Sequence, residues 1–311
     1  MKHNVKVTII ILIMFLVTQF IGLYVVNSYA TQKVVDGNIV TVNDSKTIPY
    51  GMALPEDTKI DYGTNFVSML IAFVIAISLL FLLTHIKAKI VMKVWFFFVT
   101  VIALGISFNA ILPSTNYSPL IGLLLAIPLA VGKIFRREFI SHNLSELLIY
   151  PGIAAVFVPL LSLKTAIILL VIISLYDAWA VWKSGIMQKM AKYQMNELKI
   201  FSGFFIPYAS KKQKEKLKRI KNKEISDGKG KDKGVKVNVA ILGGGDVIFP
   251  IITAGVVLKI WGLIPAISIS VGALVGLGLL LFFSEKKKFY PAMPFISSGI
   301  FLAMLINWLI L

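Results

Sequence analysis

The sequence contains no cysteine. That excludes disulfides, thiolate metal ligands and thiol nucleophiles. Charge is also scarce: 15% of the 311 residues are Asp, Glu, Lys or Arg, where soluble chains carry about a quarter. Acids are rarest, 15 against 32 Lys and Arg. The three histidines, His3, His85 and His142, lie scattered near the ends of apolar runs without metal-ligand spacing, so no metal and no cofactor is expected. What fills the chain instead is apolar side chain, 57% of residues, with a mean hydropathy of +0.83. A soluble domain of this size cannot bury that much apolar surface beneath a polar coat. An ordinary cytosolic enzyme, a disordered chain and a fibrous protein are thereby excluded.

Apolar runs long enough to cross a bilayer cover about 7–28, 64–84, 91–112, 117–132, 144–161, 164–183, 238–257, 261–283 and 291–311. They are too long, and too little alternating, for barrel strands, so an all-α polytopic membrane protein of nine transmembrane helices is predicted. Lys and Arg counts alternate from loop to loop. Sixteen fall between Lys183 and Lys236, while the turn at 113–116 has none. The positive-inside rule then places the N-terminus inside and the C-terminus outside a cell membrane. Span 1, with Lys2 and Lys6 before it and Asn27-Ser28-Tyr29-Ala30 after it, also resembles a signal peptide. Its apolar part of about 20 residues exceeds the usual signal length, so a retained helix is expected.

The chain divides into a membrane half at 1–183, a basic loop at 184–236 and a second membrane half at 237–311. Met187, Met190, Ala191, Met195 and Leu198 recur at helical spacing and suggest an amphipathic extension of span 6 at the interface. The lysine-rich stretch after Tyr208 reads as a solvated linker. It either touches anionic lipid or is simply held inside by its charge. Regular aromatic interleaving is missing, so no nucleic-acid partner is expected. Gly272 and Gly276 form a GxxxG in span 8, expected to serve packing within the chain.

Ionisable groups deep in a span are costly and carry a functional expectation. Glu146, near the start of span 5, is expected to reach the interface. Two acids lie well inside apolar runs: Asp177 in span 6 and Asp246 in span 7. Asp177 precedes Lys183 by six residues and Asp246 follows Lys236 by ten, about 9 and 15 Å along a helix. Both therefore sit on the cytoplasmic side of the membrane centre. Two close carboxyls do not both ionise easily, and a pair sharing one proton can activate water and polarise a peptide carbonyl. Intramembrane carboxylates also serve proton relays and ion paths, so a transporter or cation channel stands beside a protease at this point.

Gly243-Gly244-Gly245 directly precedes Asp246. Glycine admits close backbone approach and weakens the helix, consistent with local unwinding or with tight packing. Span 9 opens with Tyr290-Pro291-Ala292-Met293-Pro294. Two prolines three apart forbid a regular helix across this stretch. It reads either as an irregular segment able to hold extended peptide or as a helix start with proline in its first turn.

Tyr176-Asp177 in a sixth span, Gly243-x-Gly245-Asp246 in a seventh and Pro291-Ala292-Met293 opening a ninth resemble the YD, GxGD and PAL motifs of the presenilin and signal peptide peptidase family, intramembrane aspartyl proteases. The archaeal branch is most similar, through Tyr176-Asp177-Ala178-Trp179 and Gly245-Asp246-Val247-Ile248-Phe249-Pro250. Met293 stands where the family usually has leucine, a near-isosteric change. The resemblance implies that Asp177 and Asp246 are the catalytic pair. It implies that Tyr176, Gly243, Gly244 and Gly245 shape the site, and that Pro291, Ala292, Met293 and Pro294 hold substrate. Transmembrane helices or leftover signal peptides are the implied substrates, in contact with membrane lipid and with no obligate helper subunit evident. Type IV prepilin peptidases share a GxGD acid but would lack the other two motifs.

Overall fold

The computed structural model describes residues 5–30, 32–35, 38–41, 46–52, 61–86, 88–136, 139–184, 202–208, 238–284 and 290–310. Among them are nine helices long and apolar enough to cross a membrane. These are α1 (Val5–Ser28), α2 (Tyr62–His85), α3 (Lys89–Ile111), α4 (Ser118–Val131), α5 (Phe139–Phe157), α6 (Leu163–Trp179), α7 (Gly244–Trp261), α8 (Leu263–Phe283) and α9 (Met293–Ile310). Hairpin β1–β2 (Gln32–Val35, Asn38–Thr41) follows α1, and a second antiparallel pair, β3 (Gly203–Tyr208) and β4 (Asn238–Gly243), lies between α6 and α7. Most of the 184–236 loop, including the stretch from Met187 to Leu198, lies outside the described residues.

Helix ends follow local chemistry. Asp61 accepts from the amides of Gly63 and Thr64 to start α2, and Ser162 with Thr165 forms a reciprocal capping box at α6. Two helices end in π turns, α4 at Gly132–Arg136 and α6 at Ala180–Ser184. Helix α7 is the hub. Val247, Ile251, Ala254, Val256 and Val257 are fully enclosed, and α1, α5, α6, α8 and α9 pack around them. Helix α1 packs into this core through Ile11 and Phe15, with Gln19 buried beside them. Helix α2 has the smallest buried share of any span.

The end of the bundle away from β3 and β4 is closed by polar staples. The Tyr29 hydroxyl donates to the Ile106 carbonyl at 2.7 Å and accepts from the Asn109 amide at 3.0 Å. The Lys46 ammonium donates to the carbonyls of Asn109, Ala110 and Leu112 at the C-terminus of α3, where a cation complements the helix dipole. Burial lowers the Lys46 ammonium from its ordinary value and pushes the Tyr50 hydroxyl, which donates to the Pro119 carbonyl, up to about 12.

Two expectations need correction. Span 7 does not begin as a helix at 238: residues Asn238–Gly243 form a strand, and the helix starts at Gly244. Along that strand Ala240 and Leu242 are buried while Val239 and Ile241 are exposed. The alternation is that of a strand, hidden in sequence because both faces are apolar. Glu146 does not reach the interface either. Helix α5 begins at Phe139, a full turn earlier than hydropathy suggests, so Glu146 lies inside the protein with no exposed surface. The GxxxG expectation is met: Gly272 and Gly276 abut the backbone of α9 at Gly299 and Phe295.

Candidate active site

Asp177 lies near the C-terminal end of α6, 5% exposed, and the regular helix gives way to the π turn just beyond it. A helix C-terminus is an unfavourable place for a carboxylate. The compensation comes from another helix. The amide of Met293 donates to Asp177 Oδ2 at 3.0 Å, and that of Ala292 bonds the same carboxyl. Pro291 precedes α9 and Pro294 occupies its first turn, where a missing N–H costs nothing. The opening amides of a helix need outside acceptors, and Asp177 provides one. One turn away on each helix, Ser174 Oγ and Ser297 Oγ are 2.7 Å apart, a second tie between α6 and α9. On its other side α9 is pressed against the glycine face of α8.

Asp246 arrives by a different route. Strand β4 runs into α7 without a loop, and Gly243 is both the last strand residue and the N-cap, with φ −65° and ψ 148°. Asp246 is the third residue of the helix, and its carboxyl accepts from the Gly243 amide. That is half of a capping box, at the positive end of the helix dipole. The two acids interact electrostatically with one another. Two helix N-termini, those of α7 and α9, thus converge on one carboxyl pair.

The three glycines are not equivalent. A Cβ on Gly244 would stand 2.8 Å from the Tyr150 hydroxyl and 3.1 Å from Ser202 Oγ. On Gly243 it would stand 3.2 Å from Asp246 Oδ2, and on the exposed Gly245 only 3.7 Å from the Phe249 ring. Tyr176 is 47% exposed, with its ring against Trp179 at 6.2 Å. Pro291 and Met293 are buried, and Ala292 and Pro294 partly so.

Several polar residues around this site either did not stand out in the sequence or, like Glu146 and His142, were given no part in a site there. Gln19 of α1, wholly buried, donates from Nε2 to the Val247 carbonyl at 3.0 Å, next to Asp246. Tyr150 of α5 backs Gly244. One turn of α5 grips β3. Asn143 Nδ2 donates to the Phe205 carbonyl at 3.1 Å, and Asn143 Oδ1 accepts from the Phe205 amide at 3.2 Å. Glu146 Oε1 accepts from the Gly203 amide at 3.3 Å, and His142 Nε2 lies 2.9 Å from the Gly203 carbonyl. Lys133, from the π turn after α4, pairs with Glu146 Oε1 at 2.6 Å, with both side chains buried. A glutamine in the middle of an apolar span was the one legible signal, because polar groups there are costly. Among the described residues no group of three His, Cys, Asp or Glu could hold a metal ion.

Residues 48–311 match the family model described as signal-peptide peptidase, presenilin aspartyl protease. Two solved structures of a presenilin family intramembrane aspartate protease, in space groups C222 and P2, are similar in fold. They match over 97% of this chain and 97% of theirs, with TM-scores of 0.56 and 0.59 at 19% and 17% identity. No curated protein matches by sequence.

Proposed function

The chain belongs to the signal-peptide peptidase, presenilin aspartyl protease family and is a multi-pass intramembrane aspartyl protease; from that premise we propose that Asp177 and Asp246 are its catalytic pair. The observation that supports this most is the convergence of α7 and α9 on the two carboxyls. The pair shares one proton. The ionised carboxyl takes a proton from water as the oxygen attacks the scissile carbonyl, and the protonated one donates to the carbonyl oxygen. The resulting diol collapses as a proton passes to the leaving nitrogen. The two apparent ionisations belong to the pair, so the rate falls on both sides of an optimum pH. The ion-transport reading of the same acids gains no support from the family match.

A peptide bond within a helix is shielded by its own hydrogen bonds, so the substrate must be extended at the cut. Strand β4 offers it a place. On β3 the N–H and C=O of Gly203 and Phe205 face α5, so Phe204, Ile206 and Tyr208 face β4. Their partners Leu242, Ala240 and Asn238 face β3 in return, and Val239 and Ile241 turn their backbone groups to the far edge. Among the described residues this sheet has two strands. A peptide adding there as a third strand lies beside Asp246. Gly244 and Gly245 keep the approach narrow. Pro291 to Pro294 hold the opposite side through Asp177, and Tyr176 borders it.

The substrates proposed are transmembrane helices or leftover signal peptides. The membrane halves 1–183 and 237–311 supply one acid each, and the basic loop at 184–236 holds this side of the site toward the cytoplasm. The test uses purified protein in liposomes with a single-span substrate. Scission blocked by an aspartyl-protease transition-state analogue, and absent in Asp177→Asn and Asp246→Asn, is the expected result. Near wild-type cleavage in either variant removes that residue from the pair. With no native cysteine, Thr115→Cys should label from outside and Ser226→Cys only from inside; the reverse overturns the orientation.

A further inference from the structure

The outer edge of β3 is not bare. Four backbone groups on two alternate residues, Gly203 and Phe205, are all taken by side chains from one turn of α5: His142, Asn143 and Glu146. Asn143 does what a neighbouring strand would do. Its amide group donates to one carbonyl and accepts from one N–H of the same residue, as a paired peptide does. All three side chains are buried. Phe205 adds a ring contact of 4.7 Å with His142 and 5.3 Å with Phe139. Pro207, which has no N–H to offer, occupies the next position facing the same edge.

An open sheet edge accepts any extended chain. Here one edge is filled from within the protein, while among the described residues the other carries no strand, so a third strand has its place there. The buried face of this sheet opposes a slip of one residue, but a slip of two keeps every side chain on its own face. Filling the edge with side chains anchored on α5 removes that freedom from β3. Pairing passes the constraint to β4, and β4 passes it without a loop to Asp246.

We propose that Asn143, with His142 and Glu146, is a positioning residue for proteolysis: the turn of α5 fixes the register of β4 against Asp246 and so sets which peptide bond of the substrate is cut. This rests on the catalytic reading of Asp246 and on strand addition at β4. It predicts an effect on where the cut falls, which a purely structural role would not produce.

The test compares Asn143→Leu, which keeps the branched shape and loses both hydrogen bonds to Phe205, with Asn143→Gln, which restores an amide on a longer stem. Each purified variant cleaves a single-span substrate, and the products are weighed by mass spectrometry. Binding of a transition-state analogue and thermal stability are read in parallel. In Asn143→Leu, kcat should fall about tenfold with KM little changed, as expected for misplacement of an intact dyad. Cuts about two residues to either side of the wild-type bond should appear. Analogue binding should persist, and Asn143→Gln should recover part of the rate and narrow the cut sites. Wild-type rate with a single cut in Asn143→Leu overturns the proposal. So does a lowered rate with unchanged cut position, which marks the contact as structural only. If Asp246→Asn still cleaves, the catalytic reading itself fails; if that variant is dead while Asn143→Leu is normal, only the positioning role fails.

Discussion

Asp177 and Asp246 carry the same side chain to the same place by opposite means. Asp246 is placed locally: it stands in the first turn of its own helix and bonds the N-cap three residues back. Asp177 is placed at long range: it sits near the wrong end of its own helix and depends on amides 115 and 116 residues away in sequence, at Ala292 and Met293. The difference separates two kinds of fragility. The Asp246 side is sensitive to what occupies the few positions around Gly243. The Asp177 side is sensitive to anything that moves α9. Asp61 provides a reference, since it makes the same carboxylate-to-amide contacts at the start of α2, fully exposed.

The largest effect comes from the acids themselves. Asp177→Ala and Asp246→Ala should each abolish cleavage, yet with different stability. Asp177→Ala strips two buried amides of their acceptor, at about 1–3 kcal/mol. Asp246→Ala removes only a capping contact, at about 1 kcal/mol. Thermal unfolding of the two variants checks the order, and equal losses would break the comparison.

Next is Pro291→Ala combined with Pro294→Ala, aimed at the Asp177 side alone. Freed of both prolines, α9 can extend toward its own start and withdraw the Ala292 and Met293 amides into helical bonds. Cleavage should fall about a hundredfold, the scale of a misplacement near 1 Å, with little change in thermal stability. Met293→Leu, which leaves the amide in place, should be nearly silent. Normal kinetics in the double variant would reduce this stretch to a helix start.

The glycines test the Asp246 side. Gly244→Ala drives a methyl into the Tyr150 hydroxyl, and overpacking of this kind costs about 1–3 kcal/mol. Gly245→Ala meets only ordinary contact, so it should lose less stability and less activity than Gly244→Ala. Cleavage rates and melting temperatures of the two variants are the readout, and reversal of their order would refute the assigned packing.

The smallest effect belongs to Asp61. The Thr64 hydroxyl and amide, with the Gly63 amide, hold its carboxyl below the usual carboxylate range. Its folded-state value is depressed, so its contribution is present above about pH 4, the unfolded value, and is lost as pH falls through the folded one. Lower protection factors at the first turn of α2 on acidification, taken relative to the intrinsic exchange rate at each pH, would show it, and Asp61→Asn should flatten that dependence.

Much of this was legible from the sequence. Nine apolar runs correspond to nine spanning helices among the described residues, because a bilayer allows little else. The two acids stood out because charge at membrane depth is rare. Three features were not legible, each for a physical reason. Strands β3 and β4 hid because Phe205 and Ile241, on their less buried face, are as apolar as Phe204 and Leu242 beneath. The Lys133–Glu146 pair joins two helices across a turn, and no spacing rule marks such a contact. Asn143 reads as an ordinary polar residue at a helix start until Phe205, 62 residues on, is seen beside it.

The direct junction of strand and helix at Gly243 has a thermodynamic consequence. With no loop to take up slack, the outer edge at Val239 and Ile241 and the carboxyl of Asp246 belong to one continuous segment. Ordering either end orders the other, and linkage makes the coupling reciprocal. Whatever factor a seated peptide adds to the affinity of an active-site ligand, that ligand must return to the peptide. If Asp246 is catalytic and β4 seats the substrate, as proposed, recognition and chemistry form a single cooperative unit, and an inhibitor that reaches the acids alone should tighten the grip on an uncut strand rather than release it.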